Sequence, residues 1–344
     1  MNAFTEHVVV LGAGVAGLCV ATELVARGIF PKVIDRQLEP GPESCSWWAG
    51  GMLAPYCEVE SAEEAVLHYG KKAATWWQKH TDVVEHQGSL VLALDRDQAD
   101  LKRFAKRTQA YDVLDADEIT ELEPDLSGRF SRGLYYREEA HLSPRNALRA
   151  LKTKLIQQGV TFINQSADPD MLAKDSLVID CRGIKAKPDL DGLRGVKGEM
   201  LILRCPEVQL TRPVRLLHPR IPLYIVPRGD GVYMLGATMV ESSAKKHASV
   251  RSVMELLNAA YAINPAFGEA EILEIGVDSR PAFANNLPRI RRQGQIIRAN
   301  GLYRHGFLLA PTLAKMVVDY LEQGIESEWF DTTNLTTTEE TINL

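Results

Sequence analysis

Basic charge is in short supply: 39 Lys and Arg stand against 45 Asp and Glu, a net charge of -6. A phosphate-backbone binder needs a basic surface, so nucleic-acid partners are not expected. No apolar run approaches the roughly 18 residues of a membrane span. The opening "MNAFTEHVVV" has neither a basic start nor an apolar core, so no secretory leader is expected. Cysteine is sparse, five in 344 residues, which excludes a disulfide framework and points to a reducing cytoplasm. Cys45 and Cys57 lie twelve residues apart with no CxxC pair and no nearby histidine, so no metal is expected there. Internal repeats and low-complexity linkers are also missing. What remains is an ordinary globular composition, 45% hydrophobic and 24% charged, long enough for a substantial core.

The N-terminus reads as strand, tight turn, helix and strand. "HVVVL" (7–11) precedes "GAGVAG", the helical pattern "LCVATELVARG" ends at Gly28, and "PKVIDR" ends at Arg36. Further strands are predicted in "GSLVLALD" (88–95), "SLVIDCRGI" (176–184), "GEMLILRC" (198–205) and "QIIRANGLY" (295–303). "YIVPRGDGVYMLGAT" (224–238) is predicted to be a hairpin turning at Gly229-Asp230-Gly231. Helices are predicted in 97–110, 143–159 and 249–263, with a last one opened by Pro311 and closed by Gly324 and a loose tail after it. The class is α/β (mixed α+β): a Rossmann-like domain interleaved with an antiparallel-sheet domain. The expected borders are 1–84, 135–190 and 278–344 for the first, and 85–134 and 191–277 for the second.

Gly12, Gly14 and Gly17 make G-x-G-x-x-G between strand and helix. They serve a tight turn, close approach of backbone to a pyrophosphate, and close helix–strand packing, with phosphates at the helix N-terminus. Asp35, with Arg36 beside it, ends the second strand eighteen residues after Gly17, where a carboxylate suits ribose hydroxyls. The motif alone fits NAD or FAD. Antiparallel strands in place of further parallel βα units favour FAD.

"SWWAGGMLAP", "VIDCRGI", "GVKGEMLIL", "YIVPRGDGVYMLGAT", "SRPAFANNLPRI" and "GLYRHGFLLAP" occur in this order over nearly the whole chain. In these segments the sequence resembles the D-amino-acid-oxidase-like flavoproteins, and among them the glycine oxidase branch of the thiamine pathway. The resemblance implies that Ala49, Gly50, Gly51 and Met52 run along the isoalloxazine ring, that Gly183 closes the FAD site, and that Arg304, His305, Gly306, Phe307 and Leu308 border the flavin. It further implies that Arg280 pairs with a substrate carboxylate, that Tyr224 reaches the same carboxylate, and that Arg304 lies near the reacting centre. Trp47 and Trp48 replace small residues; aromatic stacking near the cofactor and core packing are both open, with core packing favoured, and His305 is read as structural. The final helix, taken to start at Pro311, should direct its N-terminus at the flavin. Asn285, Asn286 and Arg291 depart from the family pattern in a loop close to the cofactor in relatives. Covalent attachment in some relatives uses a late cysteine. None follows Cys205 here, so FAD is expected to be non-covalent.

The implied reaction is oxidative deamination of glycine or another small amino acid. Hydride passes from Cα to flavin, the imine hydrolyses, and oxygen becomes hydrogen peroxide. Alternatives are a sarcosine or D-amino-acid oxidase, a dehydrogenase with another electron acceptor, or a non-catalytic FAD-binding redox sensor or assembly factor. A homo-oligomer is possible.

Overall fold

The computed structural model describes residues 7–37, 39–218, 223–242 and 247–331. Most of the tail after Gly324 therefore lies outside the described residues, as does most of the opening stretch.

Two large sheets organise the chain. The first has six strands in the order Arg289–Gln293, Ile296–Asn300, Leu177–Asp180, Val8–Leu11, Lys32–Asp35 and Thr161–Asn164. All its pairings are parallel except the one joining its two C-terminal strands. Val8–Leu11 is central and buried at all four positions, as expected for a parallel strand covered on both faces. Its side chains alternate: Val8 and Val10 enter the core beneath the helices, while Val9 and Leu11 pack on the opposite face with Ile34 and Val178. Helices Val15–Ala26, Pro144–Gln157 and Gly306–Gln323 cover the first face.

The second sheet has nine strands, mainly antiparallel, built from residues 89–136 and 194–282. It packs on helix Val250–Ile263 through Leu256, Ala260 and Ile263, and on Phe267 in the turn that follows. The hairpin at Gly229-Asp230-Gly231 forms as predicted: Val232 N–H donates to Gly229 O at 2.9 Å, and all three residues have positive φ. A small third sheet pairs Met52–Leu53 and Val84–Glu85 with Ala140–Leu142.

One helix boundary differs from expectation. The last helix begins at Gly306, and Pro311 lies inside it. Proline cannot donate to the carbonyl four residues earlier. That carbonyl, Phe307 O, instead accepts from Trp77 Nε1 at 2.8 Å, and the Trp77 ring stacks on Phe307 at 5.4 Å. The tryptophan satisfies the acceptor that proline leaves open, so the helix runs on.

Candidate active site

A cleft runs from the glycine turn, along the loop 44–52, to the start of the last helix. Gly12 begins the turn with φ +107°, and a Cβ there would sit 2.8 Å from Cys181 O. Gly14 borders the cleft, where the added atom would point toward Ser46 Oγ at 3.3 Å. Gly17 does not line the cleft; a Cβ there would collide with Gly12 O, so its absence lets helix and strand close up. Asp35 accepts from Ala13 N–H at 2.7 Å and from Gln37 N–H at 3.0 Å, which fixes its carboxylate at the mouth of the turn. Arg36 lines the same end and pairs with Glu43 at 3.4 Å on the surface.

Ala49, Gly50, Gly51 and Met52 form one wall. Gly51 has φ +74° and packs directly on Leu142 O and Pro144. Arg228 clamps this wall from behind, donating to Gly50 O at 2.8 Å, Ala49 O at 3.2 Å and Leu142 O at 3.3 Å. Burial pushes its guanidinium down to about 10. The segment "VPRGD" carries Arg228 one turn from the hairpin tip, yet nothing in its sequence spacing marks it as the clamp of a distant loop.

Trp47 and Trp48 are both half-buried; Trp48 packs against the core cluster of Met200, Ile202, Met234 and Ala237, whereas Trp47 packs against no core cluster among the described residues. Arg145 lies 4.2 Å from the Trp47 ring centroid and 5.3 Å from that of Trp48, and it forks onto Glu274 at 2.7 and 2.9 Å. The pair of rings is thus sandwiched between a helix of one sheet and a strand of the other, and Trp48 also lines the cleft.

The opposite end carries Gly183, Asn300 and the run Arg304–Leu308. Asn300 Nδ2 donates to Gly183 O at 2.9 Å. His305 is the N-cap of the last helix and makes no side-chain capping bond, so the first N–H groups of Gly306, Phe307 and Leu308 are available at the cleft. Such a helix start favours negative charge. The Phe307 and Leu308 side chains are buried in the core, which leaves only their backbone for a ligand. Because the helix starts at Gly306 rather than at Pro311, Arg304 and His305 sit directly at its N-terminus.

Arg280, on strand Glu271–Ala282, and Tyr224, on strand Leu223–Pro227, project into the cleft. Arg280 Nη1 donates to Thr238 O at 3.1 Å. Gly198 on the neighbouring strand leaves the space its guanidinium occupies. No carboxylate among the described residues pairs with Arg280. Tyr224 lies over Gly50, with its ring against Gly236.

Arg304 is different, because Glu58 takes it. The Glu58 carboxylate is met by Arg215 at 2.5 Å, Arg304 at 2.8 Å and His305 Nδ1 at 3.4 Å. Burial works to raise the Glu58 carboxyl, but Arg304 and Arg215 override it and hold the group well below the usual carboxylate range. His305 is pushed down to about 4 by burial, so it is neutral near pH 7. Glu58 had no signal in the sequence; it follows the flavin-loop motif by only a few residues but belongs to no pattern of its own. Asn285, Asn286 and Arg291 do not line the cleft. Asn286 accepts from Arg194 at 2.7 Å, and Arg291 is held by Asp331 and Asp191 O.

The turn, the open helix N-terminus and the glycine wall fit FAD: a cradle without Cβ atoms for phosphates, and backbone donors at the flavin end. Comparison with known proteins agrees. The family described as FAD dependent oxidoreductase, DAO, matches residues 7–320. A Rhizobium etli protein named for thiamine biosynthesis, the oxidoreductase ThiO, is 49% identical over 321 residues, covering 92% of this chain and 98% of that protein. A glycine oxidase of Bacillus licheniformis is 24% identical, covering 94% of this chain and 95% of the relative. The crystal structure of glycine oxidase from Geobacillus kaustophilus shares the fold, with a TM-score of 0.75 at 22% identity over 94% of this chain and 95% of that one. The chain therefore belongs to the DAO family of FAD-dependent oxidoreductases.

Proposed function

We propose that the chain is an amino-acid oxidase of the glycine oxidase type, acting on glycine or another small amino acid, with oxygen as acceptor. The observation that carries this reading is Arg280, a guanidinium that faces the cleft without a carboxylate partner among the described residues. A planar fork of this kind binds both oxygens of a carboxylate at once. Tyr224, on the adjoining wall, offers a hydroxyl to the same group.

FAD, when bound, accepts hydride from the substrate Cα and passes the electrons to oxygen, and the imine hydrolyses to glyoxylate or an α-keto acid. In this reading Gly12 and Gly14 present backbone to the pyrophosphate, with Gly17 holding the helix close. Asp35 and Arg36 meet the ribose end. Ala49–Met52 flank the ring, and Gly183 with Arg304–Leu308 meets its polar edge. Glu58 is ion-paired with Arg215 and Arg304, which hold its carboxyl well below the usual carboxylate range, and burial pushes His305 down to about 4. Neither is basic enough near pH 7 to take a proton from the substrate ammonium, so the amine must enter neutral, and kcat/KM should rise with pH until the free amine dominates.

We further propose the two-domain division given above, with the six-stranded sheet in the FAD domain and most of the nine-stranded sheet in the substrate domain. Strands Arg132–Tyr136 and Glu271–Ala282 cross its borders and pair into the nine-stranded sheet. We place the protein in the cytoplasm. Cys19, Cys57, Cys181 and Cys205 are buried thiols, and among the described residues no helix is long and apolar enough to cross a membrane. The name of the Rhizobium relative suggests thiamine biosynthesis as the setting.

The test is anaerobic mixing with glycine, sarcosine and small D-amino acids, followed by admission of oxygen. Bleaching of the flavin, then recovery with peroxide release, is expected. A flavin that dithionite reduces but none of these amines does would sink the reading, and recovery only with an artificial dye would make it a dehydrogenase.

A further inference from the structure

We infer that Glu58 sets the charge specificity of the site, restricting it to substrates with one carboxylate. The inference rests on the reading of Arg280 as the carboxylate anchor. Three guanidinium groups converge on the substrate end: Arg280, Arg304 and Arg215. Glu58 is the carboxylate set among the last two, and its side chain is only 10% exposed while still lining the cleft. It bridges them with one oxygen each, at 2.5 Å to Arg215 and 2.8 Å to Arg304. Arg304 is held further by Ser61 Oγ at 2.8 Å.

The charge balance follows. Arg280 offers one positive charge to a ligand. Arg304 and Arg215 share the one Glu58 carboxylate, with Arg215 sequestered behind it at 13% exposure, and Asp278, buried two residues before Arg280 on the same strand, supplies a second carboxylate at the cleft. His305 beside them is neutral. A ligand with one carboxylate finds one free guanidinium. A second carboxylate would have to lie against Arg304, where it meets the buried charge of Glu58 in a poorly screened space. Without Glu58, the same place would present uncompensated positive charge and attract that second carboxylate. Glu58 thus acts through charge exclusion rather than through contact with the reacting atoms.

The experiment titrates the FAD-loaded protein with acetate and with malonate, neither of which can be oxidised, and follows the flavin absorbance. Acetate is expected to bind at least about tenfold more tightly than malonate in the parent, and Glu58→Gln is expected to reverse that preference. Glycine and iminodiacetate should show the same reversal in kcat/KM. Since a buried pair of arginines without its carboxylate can fail to fold, Arg304→Gln provides the second arm. It removes one of the two guanidinium partners of Glu58 and leaves Arg215 alone to balance it, and malonate should weaken at least about tenfold further relative to acetate. A parent that binds malonate as well as acetate overturns the inference. So does a malonate-to-acetate ratio that stays at the parental value in Glu58→Gln, or in Arg304→Gln if the first variant does not fold. The underlying reading fails separately: acetate affinity unchanged in Arg280→Ala would remove the anchor itself, whereas an unchanged ratio in the Glu58 variant sinks only the exclusion role.

Discussion

Replacing Gly51 with alanine should damage the protein more than its single methyl group suggests. Gly51 combines positive φ with close approach. At φ +74° an L side chain costs roughly 1–2 kcal/mol of backbone strain. The new Cβ would fall inside contact distance of Leu142 O and only 2.8 Å from Pro144 Cδ. Leu142 is fully buried, and its N–H donates to Gly51 O at 2.9 Å, so the two segments cannot part without losing that bond. A buried backbone bond lost in this way costs about 1–3 kcal/mol. The sum is about 2–5 kcal/mol, a large share of the ~5–15 kcal/mol that holds a typical domain together. At about 2 °C per kcal/mol for a chain of this size, the apoprotein Tm should fall by roughly 4–10 °C. Gly159→Ala is the matched control. Its φ is +95°, but nothing lies within 4 Å of the added atom, so only the strain applies and Tm should fall by about 2–4 °C. The assay is thermal unfolding of both variants without FAD, followed by FAD titration, in which Gly51→Ala alone should bind weakly because it displaces the Ala49–Met52 wall. If the two variants melt within about 2 °C of each other, close approach contributes nothing and the packing argument is wrong.

Arg280→Ala should keep its FAD and lose at least about a hundredfold in kcat/KM on glycine, since a charge-assisted two-pronged contact disappears. Arg280→Lys should recover only part of this, while ethylamine, which has no carboxylate, should be oxidised no worse than by the parent; steady-state kinetics with flavin content measured by absorbance decides, and full activity of the alanine variant refutes the assignment. Gly14→Val should purify without flavin, because its side chain fills the phosphate approach, whereas acid precipitation of the parent should release intact FAD into the supernatant. A yellow Gly14→Val protein, or colour held in the parental pellet, would contradict these two expectations. Burial pushes the Glu139 carboxyl up to about 7, while Cys57 N–H donates to it at 2.7 Å. The folded state therefore holds a proton that the unfolded chain has already released between about pH 4.5 and 7, so this group makes stability fall as pH rises through that window, by about 1–3 kcal/mol in all. Glu139→Gln should be steadier than the parent at pH 8 and similar at pH 5 in urea melts; parallel pH profiles would refute the shift.

The parts of the fold legible in the sequence are those whose signal is local. Val8–Leu11, the glycine turn and Lys32–Asp35 announce a βαβ unit because strand, turn and helix each leave a short-range pattern. The Gly229–Gly231 hairpin is visible for the same reason: three successive residues with positive φ demand such a sequence. The start of the last helix was misplaced because proline at a helix start is the better local bet. The structure keeps Pro311 inside by giving its orphaned acceptor to Trp77, a residue more than two hundred positions away. Of the two neighbouring tryptophans, Trp48 packs on the core as expected but Trp47 does not. Their size suggests the core, but Arg145 and Arg149 cover Trp47 from outside, so cation contact replaces burial.

Charge compensation is the part of a site least visible to sequence reasoning, and here it decides which arginine can serve a substrate. Arg280 and Arg304 are alike as letters: each lies in a family-like motif and each lines the cleft. They differ only in what folding brings beside them. Arg304 is met by Glu58, from the other end of the chain, through a contact that no spacing rule predicts. Arg280 is set beside Gly198 and a backbone carbonyl, neither of which neutralises it. A guanidinium already paired with a buried carboxylate gains little from a second anion, because that anion must also face the first carboxylate. An unpaired one at the wall of a cleft carries the cost of partial desolvation until a ligand arrives, and that cost is returned on binding. The two arginines are therefore separated by their neighbours rather than by their motifs, and it is on that difference that the proposed assignment of the substrate carboxylate to Arg280 rests.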